Sequence, residues 1–247
     1  MKITIFPLRN FPLINPGDSL TEIIVEELRK IDLQNRDIIV IAHTILSKSE
    51  NKVYDLNLIT PSPFALQIGR MQGKDPRKIE VILRESSEII RMNEKVLITA
   101  THHGFICANS GIDKSNTPGD TVISLPDDPD FSARQIRDEI KEKLHKNVAV
   151  IISDTFGRPL RVGTVNFAIG LAGINSLEDI RGKTDLFGYE LRSTIIARVD
   201  EVAAAAGIVM GQADEGTPVI IVRGVDYSIN DNSARELIRE PENDVFR

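Results

Sequence analysis

The sequence predicts an α+β fold in which mixed sheets are combined with helices. Apolar segments of strand length and amphipathic segments of helix length occur along the whole chain, but they do not alternate strictly, as a doubly wound α/β protein requires. Residues 96–125 contain strand-like segments that follow one another with no helix between them. No low-complexity linker divides the chain, so residues 1–247 are interpreted as one unit, with candidate seams at residues 61–63 and 126–129.

The helices are predicted from apolar residues at helical spacing and from capping residues. The predicted helices cover residues 20–31 after a Ser19–Glu22 capping box, residues 79–90 after Asp75-Pro76, residues 132–144, and residues 200–210 before Gly211. A further short, capped helix is expected to begin at Ser233, because Glu236 follows at capping-box spacing.

Short apolar runs predict the strands. These runs are residues 2–5, 37–42, 96–100, 105–108, 121–125, 148–152 and 217–222, and residues 190–199 also have an extended pattern. Residues 43–50 and 153–158 are interpreted as polar segments that follow the strands before them.

Composition excludes several classes of protein. With 41% hydrophobic and 27% charged residues in 247, the chain has enough apolar material to bury a core. Its net charge of −6 gives no overall attraction for nucleic acid or for an anionic membrane. Cys107 is the one cysteine, which excludes an internal disulfide and a four-cysteine zinc site. The apolar run at residues 202–210 is shorter than the ~20 residues of a membrane span, and no signal peptide is evident, so a cytoplasmic protein is expected.

The functional residues are expected where apolar strands end in polar segments. Asp113 and Asp154 each follow such a strand and are the candidate ligands for a divalent cation, because Mg²⁺ and Mn²⁺ prefer hard oxygen atoms. Two carboxylates from separate strands would hold the cation and neutralise phosphate charge. The alternative interpretation is that one or both aspartates only cap a turn or a helix.

Three further segments could bind phosphate or a carboxylate. Arg158 and Arg161 lie in a glycine-flanked loop after Asp154, Lys48 follows a buried strand, and residues 210–217 form a polar turn with several possible oxygen ligands. The alternatives are a solvated loop, an exposed lysine and an ordinary helix-to-strand connection. The possible ligands in that turn are Gln212, Asp214 and Glu215.

Several familiar motifs are absent or incomplete. Gly182-Lys-Thr184 ends like a P-loop, but Leu177 stands where the earlier glycine is required. His102 and His103 lack partners at zinc spacing, and Cys107 is interpreted as a core residue. Neither a nucleophile elbow nor a dinucleotide-binding glycine motif is present, which disfavours serine hydrolases and Rossmann oxidoreductases.

At these same segments the chain resembles a known family, the coenzyme F-420-0:L-glutamate ligases, which add γ-linked glutamate to a deazaflavin coenzyme. The resemblance spans nearly the whole chain, in family order. Its motifs are Phe11-Pro-Leu-Ile14, Ser47-Lys48, Asn109-Ser-Gly-Ile-Asp-Lys-Ser-Asn116, Ser153-Asp-Thr-Phe-Gly-Arg158, residues 163–170, Asp185-Leu-Phe-Gly-Tyr-Glu-Leu191 and residues 218–224.

The resemblance implies a two-lobed, intertwined α+β fold, a homodimer, GTP as phosphoryl donor, two Mg²⁺ or Mn²⁺ ions per site and a K⁺ ion. It implies that Asp113, Asp154, Thr155 and Gln212 hold metal. The nucleotide contacts that it implies are Phe11, Pro12, Leu13, Ile14, His43, Thr44, Lys48, Asn116, Met210, Gly211, Gln212, Ala213, Asp214, Glu215, Gly216 and Thr217. Two departures from the family pattern are His43, where a small hydroxyl residue is usual, and Gln212, a weaker cation ligand than a carboxylate.

The implied reaction activates a carboxylate of the coenzyme as an acyl phosphate, which the amine of L-glutamate then attacks. Arg158 or Arg161 is interpreted as holding phosphate or an acidic substrate. Two alternatives remain open from the residues: a metal-dependent phosphohydrolase that uses the same aspartates, and a non-catalytic protein that binds a nucleotide or a deazaflavin.

Overall fold

The computed structural model describes residues 2–245, and its strands and helices are mixed along the chain. The strands are β1 Thr4–Pro7, β2 Ile38–Ala42, β3 Val53–Asp55, β4 Ser86–Met92, β5 Leu97–Thr101, β6 Ile106–Ala108, β7 Thr121–Ile123, β8 Ala149–Arg158, β9 Arg161–Ala172, β10 Glu178–Asp179, β11 Ile195–Ile196 and β12 Val219–Arg223. The α-helices are α1 Leu20–Leu28, α2 His43–Ser49, α3 Pro63–Gln72, α4 Pro76–Arg84, α5 Pro129–Leu144 and α6 Arg198–Met210. This architecture confirms the α+β prediction.

The main sheet has the strand order β1-β12-β2-β8-β9. β2 and β8 run parallel, whereas the other pairs in this sheet are antiparallel. The paired segments, residues 38–42 of β2 and residues 149–153 of β8, are almost wholly apolar and buried, as expected for strands covered on both faces. Helices α5 and α6 pack on this sheet, and α1 packs on α5. Their side chains form the larger of two buried apolar clusters.

The second apolar cluster lies between α3, α4 and two small sheets. One sheet has the order β4-β5-β6, and the other pairs β3 with β7. The buried residues of this cluster are Leu56, Ala65, Ile68, Ile79, Val81, Ile82, Leu97, Ile112 and Val122. The segment between β6 and β7, which carries Asp113, is therefore anchored in this second core.

Most predicted elements are confirmed, with shifted ends. The predicted strand at residues 2–5 forms at Thr4–Pro7, and the predicted helix at residues 132–144 begins earlier, at Pro129. Helix α6 begins at Arg198 and ends at Gly211, whose φ of 74° suits a residue without a Cβ. A 3₁₀ turn follows Ser233, whose hydroxyl accepts from the Arg235 N–H.

Two helix predictions were wrong in part. The helix predicted over residues 79–90 ends at Arg84, and Ser86 starts strand β4, so Ile89 and Ile90 belong to a sheet. Apolar residues in that strand continued the helical spacing by coincidence. The first helix ends at Leu28 rather than at residue 31, and Ser19 precedes it without a side-chain capping bond.

Residues 43–50 are not merely a polar segment, because they form helix α2. His43 and Ser47 are polar but buried on one face of this helix, together with Ile45 and Leu46. Burial of polar residues one turn apart conceals the apolar pattern by which a helix is predicted.

The segment predicted to follow the strand at residues 148–152 is itself strand. β8 continues through Arg158 and pairs antiparallel with the twelve-residue β9, which was not predicted.

The candidate seams at residues 61–63 and 126–129 each lie where a helix begins. Ser62 and Pro63 begin α3, which was not predicted, and Pro129 begins α5. The predicted extended segment at residues 190–199 forms only the short strand β11 and a single bridge at Glu190, and its last two residues already belong to α6.

Among residues 2–245, no helix is long and apolar enough to cross a membrane.

The crossing of β9 over the start of α5 requires a glycine at position 170. A Cβ on Gly170 would lie 2.4 Å from the carbonyl carbon of Pro129, a backbone atom that cannot rotate away. We expect Gly170→Ala to lower the free energy of unfolding by about 1–3 kcal/mol, the usual cost of overpacking. Gly157→Ala in β8 is the matched control, because a Cβ there meets nothing within 4 Å. Urea unfolding of both variants checks this, and equal stability for the two would contradict it.

Candidate functional site

A cleft of about 730 Å³ opens where β2 ends and β8 continues beyond its pairing with β2. Its walls come from segments that are far apart in the sequence, from Phe11 near one end of the chain to Pro218 near the other. All the residues predicted to contact nucleotide or metal line it. These are Phe11, Pro12, Leu13, Ile14, His43, Thr44, Lys48, Asp113, Asn116, Asp154, Thr155, Met210, Gly211, Gln212, Ala213, Asp214, Glu215, Gly216 and Thr217.

The parallel pairing of β2 with β8 brings His43 and Asp154 together. Ala42 is in register with Ser153, so the residues that follow them emerge at the same edge of the sheet. The His43 Nε2 atom lies 3.2 Å from Asp154 Oδ1, and His43 Nδ1 lies 3.3 Å from Ser47 Oγ. Burial lowers the pKa of His43, but the carboxylates of Asp154 and Asp113 raise it, and the net shift is above the ordinary value.

Asp154 is held by the backbone N–H of the next residue, Thr155, as well as by His43. Its Oδ1 atom accepts the Thr155 N–H at 2.6 Å, and its side chain is only 12% exposed. A carboxylate whose one oxygen is occupied in this way has a fixed orientation. The other oxygen, Oδ2, remains for a cation or another donor in the cleft.

Asp113 is held by a tightly folded loop. Asn109, Ser110 and Gly111 all adopt positive φ angles, between 53° and 68°. Ser110 fastens this turn to β5, because its N–H donates to Thr99 Oγ1 at 3.0 Å. The Asp113 carboxylate accepts the Ser115 N–H at 2.8 Å and also the Ser115 hydroxyl. Asp113 therefore does cap a turn, as the alternative interpretation supposed, and it lines the cleft as well.

Hydrogen bonds join three of the segments around the cleft. Lys48 Nζ donates to the carbonyl oxygen of Asn116 at 2.7 Å, and Asn116 Nδ2 lies 3.4 Å from the carbonyl oxygen of Ala213. Burial lowers the pKa of Lys48. This contact chain fixes the ammonium group of Lys48 beside the loop that follows α6.

Glu215 is turned back onto its own loop. Its Oε2 atom accepts the Ala213 N–H at 2.8 Å, and backbone N–H groups lower its pKa. Its carboxylate packs on Gly211, where any Cβ would collide with it. Glu215 is thus occupied within the loop, whereas Gln212 reaches across to β8.

The oxygen atoms of Thr155 and Gln212 meet in the cleft. Thr155 Oγ1 lies 3.2 Å from Gln212 Oε1. Asn166 Oδ1 of β9 lies 3.3 Å from Thr155 Oγ1 and accepts a hydrogen bond from Gln212 Nε2 at 3.2 Å. Asn166 was not singled out from the sequence, because an isolated asparagine in an unpredicted strand carries no recognisable pattern. It is 5% exposed and lines the cleft.

Arg158 and Arg161 lie outside the lining of the cleft, at the turn between β8 and β9. Arg158 donates to the Val162 carbonyl oxygen at 2.8 Å, and Arg161 is exposed. Their assignment to a substrate stays a prediction.

Cys107 is buried, and burial raises its pKa to about 12, which agrees with a core residue rather than a nucleophile.

The donor set of the cleft fits a hard divalent cation. Within residues 2–245 no three His, Cys, Asp or Glu side chains are grouped for a metal, so a cation needs neutral oxygens as well as carboxylates. Asp113, Asp154, Thr155 and Gln212 supply carboxylate, hydroxyl and amide oxygens, which are the ligands that Mg²⁺ and Mn²⁺ prefer. With Lys48 nearby, the cleft suits a phosphate-bearing ligand.

Comparison with known proteins shows the family to which this chain belongs. Residues 9–224 match the family model described as F420-0:Gamma-glutamyl ligase. The chain is 47% identical to the coenzyme F420:L-glutamate ligase of Methanopyrus kandleri, over 95% of this chain and 93% of that one. It is 46% identical to the protein of the same name from Methanothermobacter thermautotrophicus, over the full length of both. The corresponding Methanocaldococcus jannaschii protein is 46% identical, over 96% of this chain and 94% of the other.

The family match takes in Lys48, Asp113, Asp154 and Gln212, and thus the charged and polar groups that meet in the cleft. Sequence, fold and site agree: the chain belongs to the F420-0:gamma-glutamyl ligase family.

Proposed function

We propose that this protein joins L-glutamate to coenzyme F420-0 through a γ-linked amide, with GTP as the phosphoryl donor and an acyl phosphate as intermediate. The observation that carries the proposal is the convergence of Lys48, Asp113, Asp154 and the loop at residues 210–217 on one cleft, in a chain whose relatives are named for this ligation.

The reaction needs activation because oxide is a very poor leaving group from a carboxylate. In the first step, a carboxylate oxygen of the coenzyme attacks the γ-phosphorus of GTP, and GDP leaves with the electron pair of the broken P–O bond. In the second step, the glutamate amine attacks the acyl carbon, inorganic phosphate departs, and the amine loses a proton as the amide forms. Both steps concentrate negative charge on phosphate oxygens.

The residues of the cleft have separate tasks in this scheme. Lys48 provides a point charge for the triphosphate, held in place by its bond to Asn116. His43 holds Asp154 from the buried side, so it acts on that carboxylate rather than on the nucleotide directly. Pro12 and Leu13 offer an exposed apolar surface on the cleft wall that suits the face of a base, while Phe11 and Ile14 anchor the segment in the core.

Asp113, Asp154, Thr155 and Gln212 would hold the divalent cations, Mg²⁺ or Mn²⁺. When bound, these cations supply neutralisation of phosphate charge and alignment of the transferred group. The proposal also includes two divalent ions and one K⁺ ion per site. It places the protein in the cytoplasm, where its substrates would be GTP, L-glutamate and a deazaflavin.

We further propose a homodimer. The turn between β8 and β9 exposes Leu160 and Val162 at 91% and 94%, and the loop between β10 and β11 exposes Leu186 and Phe187 almost completely. Such fully exposed apolar side chains suit contact with another protein surface, and a second copy is the partner that the family resemblance implies.

The direct test is incubation of the protein with F420-0, GTP, L-glutamate and Mn²⁺, followed by mass spectrometry. We expect the product to carry added glutamate, with GDP and phosphate formed in equal amounts. Omission of K⁺ and replacement of GTP by ATP test the finer assignments. Phosphate release without glutamate incorporation would support a phosphohydrolase instead, and tight binding without turnover would support a non-catalytic role.

Asp154→Asn should reduce turnover by roughly 10²-fold or more, because the lost charge is needed where phosphate charge develops. The melting temperature should change little, since the amide fits the same space. Asp138→Asn, at an exposed position on α5, is the matched control. Near-normal turnover by Asp154→Asn would remove this residue from the site.

Lys48→Ala should raise the Michaelis constant for GTP by roughly 10- to 150-fold, the value of a charge-assisted contact of about 1.5–3 kcal/mol. The constant for glutamate should change much less. Steady-state kinetics with each substrate varied in turn measures both, and Lys141→Ala on α5 serves as the exposed-lysine control. An unchanged GTP constant contradicts the phosphate contact, and equal losses for both substrates indicate misfolding.

Light scattering at micromolar concentration should report a dimer. Leu160→Asp combined with Val162→Asp should shift the protein toward monomer, because a buried, unpaired carboxylate is costly. Leu58→Asp, at another exposed apolar position, should leave the dimer intact. A monomeric parent protein, or a double variant that stays dimeric, would count against this interface.

A further inference from the structure

Asn166 occupies the junction of the three elements that carry the oxygen donors of the cleft. It lies on β9 directly opposite Thr155 of β8 and is 5% exposed. Its Oδ1 atom lies 3.3 Å from Thr155 Oγ1 and 3.2 Å from Gln212 Nε2. One buried amide oxygen thus accepts hydrogen bonds from two of the residues assigned to metal binding.

The other end of the same amide is fixed as well. Asn166 Nδ2 donates to Ser153 Oγ at 3.4 Å and lies 3.6 Å from Met210 Sδ. Ser153 is 1% exposed, so this contact is shielded from water. Because the amide nitrogen faces Ser153 and Met210, Oδ1 is the atom that faces Thr155 and Gln212.

Helix α6 provides the space that this amide needs. A Cβ on Gly207 would lie 2.8 Å from Asn166 Oδ1 and 2.9 Å from its Cγ, closer than such atoms approach. Glycine in the middle of a helix is unfavourable relative to alanine. The close approach of Asn166 is a physical reason for glycine at this position.

The proton positions connect Asn166 to the cation site. Thr155 has one hydroxyl proton, which either Asn166 Oδ1 or Gln212 Oε1 can accept. When Asn166 accepts it, together with an amide proton of Gln212, both Thr155 Oγ1 and Gln212 Oε1 present lone pairs. Their separation of 3.2 Å suits two neighbouring ligands of one cation, since oxygens about 2.1 Å from Mg²⁺ at right angles lie about 3 Å apart.

We propose that Asn166 is a positioning residue for the cation site, and that position 207 is a glycine because a larger side chain there would displace the Asn166 amide. This proposal rests on the proposed function, because it concerns the metal that the ligation requires. Asn166 sets the rotamer of Thr155 and the amide orientation of Gln212. It thereby compensates for a glutamine where a carboxylate would bind the cation more strongly.

The first test is Mn²⁺ binding to the nucleotide-free protein, measured by titration calorimetry and by electron paramagnetic resonance of the free ion. Asn166→Leu keeps the approximate size but removes the acceptor, and we expect Mn²⁺ to bind 10- to 100-fold more weakly, the usual effect of losing such a supporting partner. Asn166→Asp keeps an acceptor oxygen and should restore most of the affinity.

The second variant disturbs Asn166 without altering it. Gly207→Ala adds a methyl group against its amide while placing a better helix former in α6. We therefore expect Mn²⁺ affinity to fall with no matching fall in melting temperature. Ile208→Ala, at the neighbouring position that is 84% exposed, is the control and should bind Mn²⁺ normally.

The outcomes separate this proposal from the proposed function. If the parent protein binds Mn²⁺, and Asp154→Asn loses it, but Asn166→Leu and Gly207→Ala both bind normally, the positioning role is overturned and the ligase proposal stands. If the parent protein binds no Mn²⁺, the metal site and the positioning role are both overturned. Should Asn166→Leu fail to fold, Gly207→Ala decides the question.

Discussion

The parallel pairing of β2 with β8 is the constraint on which the rest of the site depends. In the main sheet the other neighbouring strands pair antiparallel, whereas β2 and β8 run in the same direction until their pairing ends at Ala42 and Ser153. The residues after Ala42 and Ser153 must then emerge side by side, whatever their identity. A histidine and an aspartate at these positions therefore meet within hydrogen-bonding distance. The apolar segments 38–42 of β2 and 149–152 of β8 make the register of this pair hard to shift, because they are buried on both faces.

Loops surround this edge of the sheet to form the cleft, and hydrogen bonds to neighbouring elements hold each loop in place. The Asp113 loop is fixed through Ser110 to the second core, and the loop after α6 is fixed through Asn116 and Gln212. The arrangement brings two carboxylates into a cleft that also holds a lysine. In the proposed reaction, the carboxylates would repel the triphosphate of the nucleotide unless cations bound to them neutralised their charge. The proposed cations would thus explain acidic residues in a site that is proposed to bind an anion.

The sequence indicated the fold class, the buried strands and the residues of the cleft, because these depend on local pattern and on recognisable motifs. It failed where a polar residue is buried or an apolar residue is exposed. Helix α2 was concealed by His43 and Ser47, and β9 was concealed by its exposed first half. Asn166 could not be found in advance, since its role arises from contacts with β8 and α6 that are distant in sequence. Such contacts leave no periodic signal.

The order of strands in the main sheet affects how the chain folds during its synthesis. β1 pairs only with β12 in that sheet, although about 200 residues separate them in the chain. The cleft segment that begins at Phe11 follows β1 directly and depends on it for its position. During synthesis, the amino-terminal strand must wait for β12 to leave the ribosome before it can dock. Contacts of such long range make folding slow, but they also ensure that a half-made chain has no complete cleft.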